Sequence, residues 1–196
     1  MLNDSLSNYQ IILASGSPRR QQFFKDLGLD FVVRLKPVKE EYPQRLLHFE
    51  ISDYLAQLKA LPFRETLNDN DILITSDTIV WHENKALGKP RDASEAFEMI
   101  KSMSGKTHEV ITSVCFTTTK FQKTVNATTK VKFKDFSNEE IEYYISNYQP
   151  FDKAGAYGIQ EWIGQIGITS IEGSYFNVMG LPTHLVYKTL NHMVKD

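Results

Sequence analysis

The stretch that most constrains the fold of this chain is IILASGSPRR, Ile11 to Arg20, where an apolar run breaks into small residues and then into a proline and two cations. Tyr9 to Ala14 predicts a short buried strand. Ser17-Pro18 predicts a helix start, with serine at the N-cap and proline at the first helical position. A strand that passes through a tight turn into a helix belongs to an α/β architecture. The same junction can hold an anion, because unpaired N–H groups at a helix N-terminus point outward and the helix dipole adds partial positive charge. Arg19 and Arg20 strengthen that reading, since cations in a first turn gain from an anion that offsets them. The plainer alternative, two solvated surface arginines, stands beside it. GxxxxGK[ST] is absent, so the segment is no P-loop.

The rest of the chain continues the α/β pattern. Gly28 ends the first helix, and Phe31 to Leu35 predicts a second strand. Apolar residues at Ile51, Tyr54, Leu55, Leu58 and Leu61 predict a helix with Lys59 on the flank of its stripe. Ile72 to Ile74 predicts a third strand leading into SDTIVW, and Ala93 to Met103 a helix closed by Ser104-Gly105. Thr107 to Thr118 and Thr124 to Phe133 predict a long hairpin around KFQK. Ser137 to Glu140 is a capping box that opens a helix through Tyr148, stopped by Pro150. Gly155 to Gly167 is rich in glycine and aromatics, Gln165 to Ile171 predicts a strand, and Leu181-Pro182 starts a terminal helix. The fold expected is a mixed, twisted sheet flanked by helices, cleft into two lobes.

Composition narrows the function. With 196 residues, 41% of them hydrophobic, the chain can bury one sizeable core and is expected to form a single domain over 1–196. Its formal net charge of -2 excludes a global basic field, and with it nucleic acid or an anionic membrane surface as expected partners. No secretory signal is evident in MLNDSLSNYQ, and no apolar run approaches the roughly 20 residues of a membrane span. The single cysteine, Cys115, forms no internal disulfide and reads as a small buried hydrophobe, so a reducing cytoplasm is expected. His108 reads as a structural histidine with no neighbour at zinc-ligand spacing, and Trp81 and Trp162 as packing residues.

ASGSPRR resembles the signature of the Maf proteins, nucleoside triphosphate pyrophosphatases whose elongated α/β fold is related to that of the inosine triphosphate pyrophosphatases. Further blocks agree in order: SDTIV from Ser76, LGKP from Leu87, SGKTHEV from Ser104, DKAGAYGIQ from Asp152 and GSYFNVMGLP from Gly173. The resemblance runs from Ile11 to about Leu190 and implies two lobes around a central cleft.

Asp77 lies where the short apolar strand is expected to end, a place suited equally to a catalytic carboxylate and to a turn aspartate. The resemblance makes it the catalytic carboxylate that orients or deprotonates the attacking water and binds metal. Most relatives have alanine before this aspartate; here Ser76 stands there. Glu40, in PVKEEYP, resembles the family's second metal position, although Lys39 replaces a common aspartate and Glu41 could serve by a one-residue shift. Lys59 and Lys89 match the family's helical and loop lysines. With Arg19 they would face about four negative charges of a triphosphate, for which positioning and neutralisation are most of what catalysis needs. Ser15 and Arg20 complete the expected phosphate contacts, and Mg²⁺ or Mn²⁺ is the expected cofactor.

The Gln160 amide offers a donor and an acceptor side by side, complementary to the imide edge of uracil or thymine. One methyl group separates those bases, which an apolar pocket discriminates only about 10- to 200-fold, so use of both is expected. In the branch of the family that this chain resembles, preference for dTTP and UTP is associated with the positions of Arg19, Thr78 and Gln160. The branch acting on 7-methylguanosine triphosphate resembles SPWRR instead. A homodimer is implied by the resemblance alone. Two rival readings stand beside this one. A non-enzymatic nucleotide-binding regulator would keep the phosphate loop but would not need Asp77, Lys59 and Lys89 together. A nucleotidyltransferase with a similar arginine-rich loop would demand a second, sugar-phosphate substrate.

Overall fold

The computed structural model describes residues 2–193. In chain order the elements are α1 (Leu2–Ser5), β1 (Gln10–Leu13), α2 (Pro18–Asp26), β2 (Phe31–Val33), α3 (Phe49–Ala60) and β3 (Asp71–His82). Then follow β4 (Lys85–Leu87), α4 (Ala93–Met103), β5 (Thr107–Thr117), β6 (Gln122–Phe133), α5 (Asn138–Tyr148), α6 (Trp162–Gly167), β7 (Ile168–Glu172), α7 (Tyr175–Val178) and α8 (Thr183–Met193). The strands form one seven-stranded sheet in the order β2-β1-β3-β5-β6-β7, with β4 paired to β3. The sheet is mixed: β1 lies parallel to β2 and β3, whereas β3–β4 and β6–β7 are antiparallel. No described helix is long and apolar enough to cross a membrane.

The chain divides into two compact units. The first takes the chain up to Asp77, Thr112–Ala127 and the chain from Gly180; the second takes Thr78–Ile111 and Thr128–Met179. In the first, β1 and the start of β3 are parallel strands buried on both faces, which explains their unbroken apolar runs, Ile11 to Leu13 and Ile72 to Ile74. Helix α3 lays Ile51, Leu55, Ala56 and Ala60 into this core, and each large side chain so buried contributes about 1.5–3 kcal/mol. Thr75 Oγ1 donates to Ala56 O at 2.6 Å, tying α3 to β3. In α2, Ser17 caps the helix by accepting from Arg20 N, Pro18 sits at its first position, and Gly28 follows the helix with φ +68°.

The second unit is built around Ile100, Met103, Phe133, Ile141, Tyr144 and Ile163, buried between α4, α5, α6 and the sheet. Ser137 and Glu140 form the predicted capping box at α5. Gly105 follows α4 with φ +70°, and the Asp135 carboxylate occupies the space where a Cβ would stand.

Three segments depart from the sequence reading. The third strand continues without a break to His82, so Asp77 lies within a 12-residue strand and not at the end of a three-residue one. The polar run Thr75-Ser76-Asp77 looks like a turn, yet all three residues are buried, and the Thr75 hydroxyl and the Asp77 carboxylate are matched by partners from α3. Strand β4 follows through Glu83-Asn84, both with positive φ, the backbone demanded by a tight hairpin. Trp162–Gly167 is helical, and the last strand begins only at Ile168. Gly164 and Gly167 permit this: the backbone of Ile159 and the ring of Phe136 occupy the space that their side chains would need.

Candidate active site

Within the first unit, four charged residues from four segments meet. Lys59, in the last turn of α3, stands on the flank of its buried stripe and donates from Nζ to Asp77 Oδ1 at 2.6 Å. The same ammonium lies 3.2 Å from Glu40 Oε1, on the loop after β2. Asp77 is 5% exposed. Burial pushes its carboxyl above the ordinary aspartate range, and the neighbouring Glu40 adds to the rise, while Lys59 and then Arg20 pull it down. A buried carboxylate raised in this way and held by one lysine is suited to accept a proton from water.

The two arginines, alike in sequence, differ in the structure. Arg20 donates from Nε to Gly180 O at 2.8 Å and from Nη1 to Ser76 O at 3.0 Å. It is a clamp that joins α2, the residue before Asp77, and the start of the last segment. Burial lowers its pKa most, opposed by Asp77, but a guanidinium stays charged under any working condition. Arg19 is half-buried and has no ion-pair partner among the described residues. The preceding loop offers fewer donors than its sequence suggests. Ser17 N donates to Ser15 Oγ at 3.3 Å, Arg20 N to Ser17 Oγ at 3.5 Å, and Pro18 has no amide proton. Ser15 is buried, with Oγ turned to its own loop.

The second unit carries the other expected residues. Thr78, next after Asp77 on β3, is half-buried. Lys89 is exposed on the loop after β4, where Gly88 O accepts from Gly155 N at 3.0 Å. Gln160 is half-buried, and its amide has no partner among the described residues.

Sequence reasoning missed the polar groups beneath Gln160. Tyr144 donates to Glu161 Oε2 and accepts from Gly158 N at 3.0 Å. Lys153 Nζ lies 3.1 Å from Glu161 Oε1 and 2.7 Å from Asp152 Oδ1. Lys153 and Glu161 sit in or beside DKAGAYGIQ, but nothing in their spacing announces that they pair. His108 is buried as a structural residue, with Nε2 2.7 Å from the Tyr157 hydroxyl. Burial and the nearby His82 depress its pKa to about 3, so it is neutral. Cys115 is fully buried, and Trp162 packs at 4.7 Å between ring centroids on Tyr143. No three His, Cys, Asp or Glu side chains gather as a metal cluster among the described residues. The carboxylates available to a divalent ion near Lys59 are those of Glu40 and Asp77.

The model of the Maf-like protein family matches residues 10–193. The chain belongs to that family. It is 63% identical over 194 residues to the dTTP/UTP pyrophosphatase of Flavobacterium johnsoniae, covering 99% of this chain and 100% of that one. It is 59% identical over 196 residues to the protein of the same name from Christiangramia forsetii, covering 100% of each chain, and 50% identical over 190 residues to that from Bacteroides fragilis, covering 96% of this chain and 98% of that one. Among solved structures, the Staphylococcus aureus Ham1 protein aligns with a TM-score of 0.55 at 17% identity, covering 94% of this chain and 99% of that one. At that identity the likeness concerns the fold alone, and it agrees with the mixed α/β sheet flanked by helices that this Maf-like chain forms.

Proposed function

We propose that this Maf-like protein hydrolyses dTTP and UTP to the nucleoside monophosphate and pyrophosphate. The observation that carries the reading is Asp77: a carboxylate buried in the sheet, raised by burial, and held 2.6 Å from the Lys59 ammonium. In this reading Asp77 takes a proton from a water molecule as its oxygen bonds to the α-phosphorus. The bond from that phosphorus to the bridging oxygen breaks, and pyrophosphate leaves with the bonding pair. Lys59 orients Asp77 and neutralises charge, Arg19 and Lys89 supply cations to the phosphates, and Ser15 lines the loop. Arg20 contributes by holding the Ser76 carbonyl, which fixes the backbone from which Asp77 projects. Thr78 and Gln160 address the sugar and base.

A divalent ion fits the donor set. Two carboxylates share one lysine, and Mg²⁺ or Mn²⁺ commonly takes one or two carboxylates with phosphate oxygens and water completing the shell. Glu40 and Asp77 would hold it, and when bound it would neutralise charge developing on the phosphates. We place the reaction in the cytoplasm, without nucleic acid as a partner, in keeping with a net charge of -2 and one buried cysteine; a homodimer rests on family resemblance.

The test is pyrophosphate release from UTP and dTTP with Mg²⁺ by the Asp77→Asn variant. A folded variant should lose activity by about 10²- to 10⁴-fold, the usual worth of a general base. Hydrolysis near the parental rate would refute the assignment.

A further inference from the structure

We propose that Tyr144, Lys153 and Glu161 are positioning residues for base recognition: they lock the backbone from Gly158 to Glu161, so that the Gln160 amide meets the pyrimidine at a fixed place. The inference rests on the reading of Gln160 given above.

The segment from Tyr157 to Glu161 is held at nearly every residue except Gln160. The Tyr157 hydroxyl is 2.7 Å from His108 Nε2. Gly158 N donates to the Tyr144 hydroxyl at 3.0 Å. Ile159 is buried in the core of the second unit. The Glu161 carboxylate is divided between Tyr144, which donates to one oxygen, and Lys153, whose ammonium is 3.1 Å from the other. The Glu161 carboxylate also packs closely over Gly158, where a Cβ would stand 2.8 Å from Glu161 Cδ. Only the half-buried Gln160 amide has no partner in this segment among the described residues.

The chemistry of the network suits a fixed support. One hydroxyl both accepts from the backbone and donates to the carboxylate, and burial, then the bond to Glu161, keeps Tyr144 protonated. His108, with its pKa depressed to about 3, presents a neutral ring to Tyr157. A buried ion pair is weak evidence for stability, because apolar replacements are often neutral or better. Its value here is placement. Reading the imide edge requires two hydrogen bonds of about 2.7–3.2 Å at once, and a displacement of about 1 Å can cost as much as 10²-fold.

The experiment compares kcat/KM for UTP and CTP in Gln160→Ala, Tyr144→Phe, Glu161→Gln and the Tyr144→Phe/Gln160→Ala double variant, with thermal midpoints to establish folding. Tyr144→Phe and Glu161→Gln should each lower the UTP:CTP ratio about tenfold. The double variant should be no less selective than Gln160→Ala alone, because the network acts through that amide. Glu161→Gln keeps shape and an acceptor for Tyr144, and decides the matter if Tyr144→Phe does not fold. Folded variants with the parental ratio, or additive losses in the double variant, overturn the proposal. If Gln160→Ala itself keeps the ratio, the reading of Gln160 falls and this proposal with it. If Gln160→Ala alone loses the ratio, only the positioning role falls.

Discussion

Ser76 occupies the position before Asp77 on β3, is 1% exposed, and has no hydrogen-bond partner for Oγ among the described residues. Its neighbours are satisfied: Thr75 Oγ1 donates to Ala56 O, and Asp77 accepts from Lys59. An unmatched buried hydroxyl costs about 1–3 kcal/mol. Ser76→Ala removes that oxygen, keeps Cβ, and forfeits a handful of dispersion contacts of roughly 0.1–0.2 kcal/mol each. The balance is a stabilisation of about 1 kcal/mol, or about 2–4 °C in thermal midpoint for a chain of this size. The Ser76 carbonyl still accepts from Arg20, so Asp77 keeps its place and kcat for UTP should not change. Urea and thermal unfolding with parallel pyrophosphate assays measure both. A lower midpoint, or a fall in kcat, would show that the hydroxyl has a bond that matters and would refute the reasoning.

Two further predictions concern pH. His108 binds its proton less tightly folded than unfolded, where its ordinary pKa is 6.5, so stability present at neutral pH is lost as pH falls from there toward about 3. Between about pH 7 and about pH 5 urea midpoints should report a loss of about 2 kcal/mol, much reduced in His108→Gln; an equal loss in both proteins would contradict the assignment. Lys59 pulls the Asp77 carboxyl down against burial, so Lys59→Met should raise its pKa further and move the acid limb of the kcat/KM profile to higher pH. A limb that stays in place or moves to lower pH would disprove that coupling.

Local signals carried well from sequence to structure. Ser17-Pro18 and the Ser137–Glu140 box are caps whose atoms lie within three residues of one another, so their geometry is set by neighbours in the chain. The reach of β3 past Asp77 was hidden, because Thr75-Ser76-Asp77 is polar and becomes strand only where α3 supplies Ala56 O and Lys59 to match it. The strand expected from Gln165 begins only at Ile168 for a similar reason: close packing at Gly164 and Gly167 decides the helix that takes in Gln165, Ile166 and Gly167, and both contacts are tertiary. The adjacent arginines show the limit for the site. Nothing in SPRR distinguishes Arg20, which spans to Ser76 and Gly180, from Arg19, because the difference lies in acceptors 56 and 160 residues away. Glu161 and Tyr144, 17 residues apart, were invisible in the same way.

The central claim is that water opens the bond at the α-phosphorus with Asp77 as base. Hydrolysis of UTP by the Mg²⁺-supplemented protein in water enriched in heavy oxygen, with both products weighed by mass spectrometry, tests it directly. The account predicts one heavy oxygen in the uridine monophosphate and none in the pyrophosphate. Heavy oxygen in the pyrophosphate, or release of orthophosphate with uridine diphosphate, would contradict it.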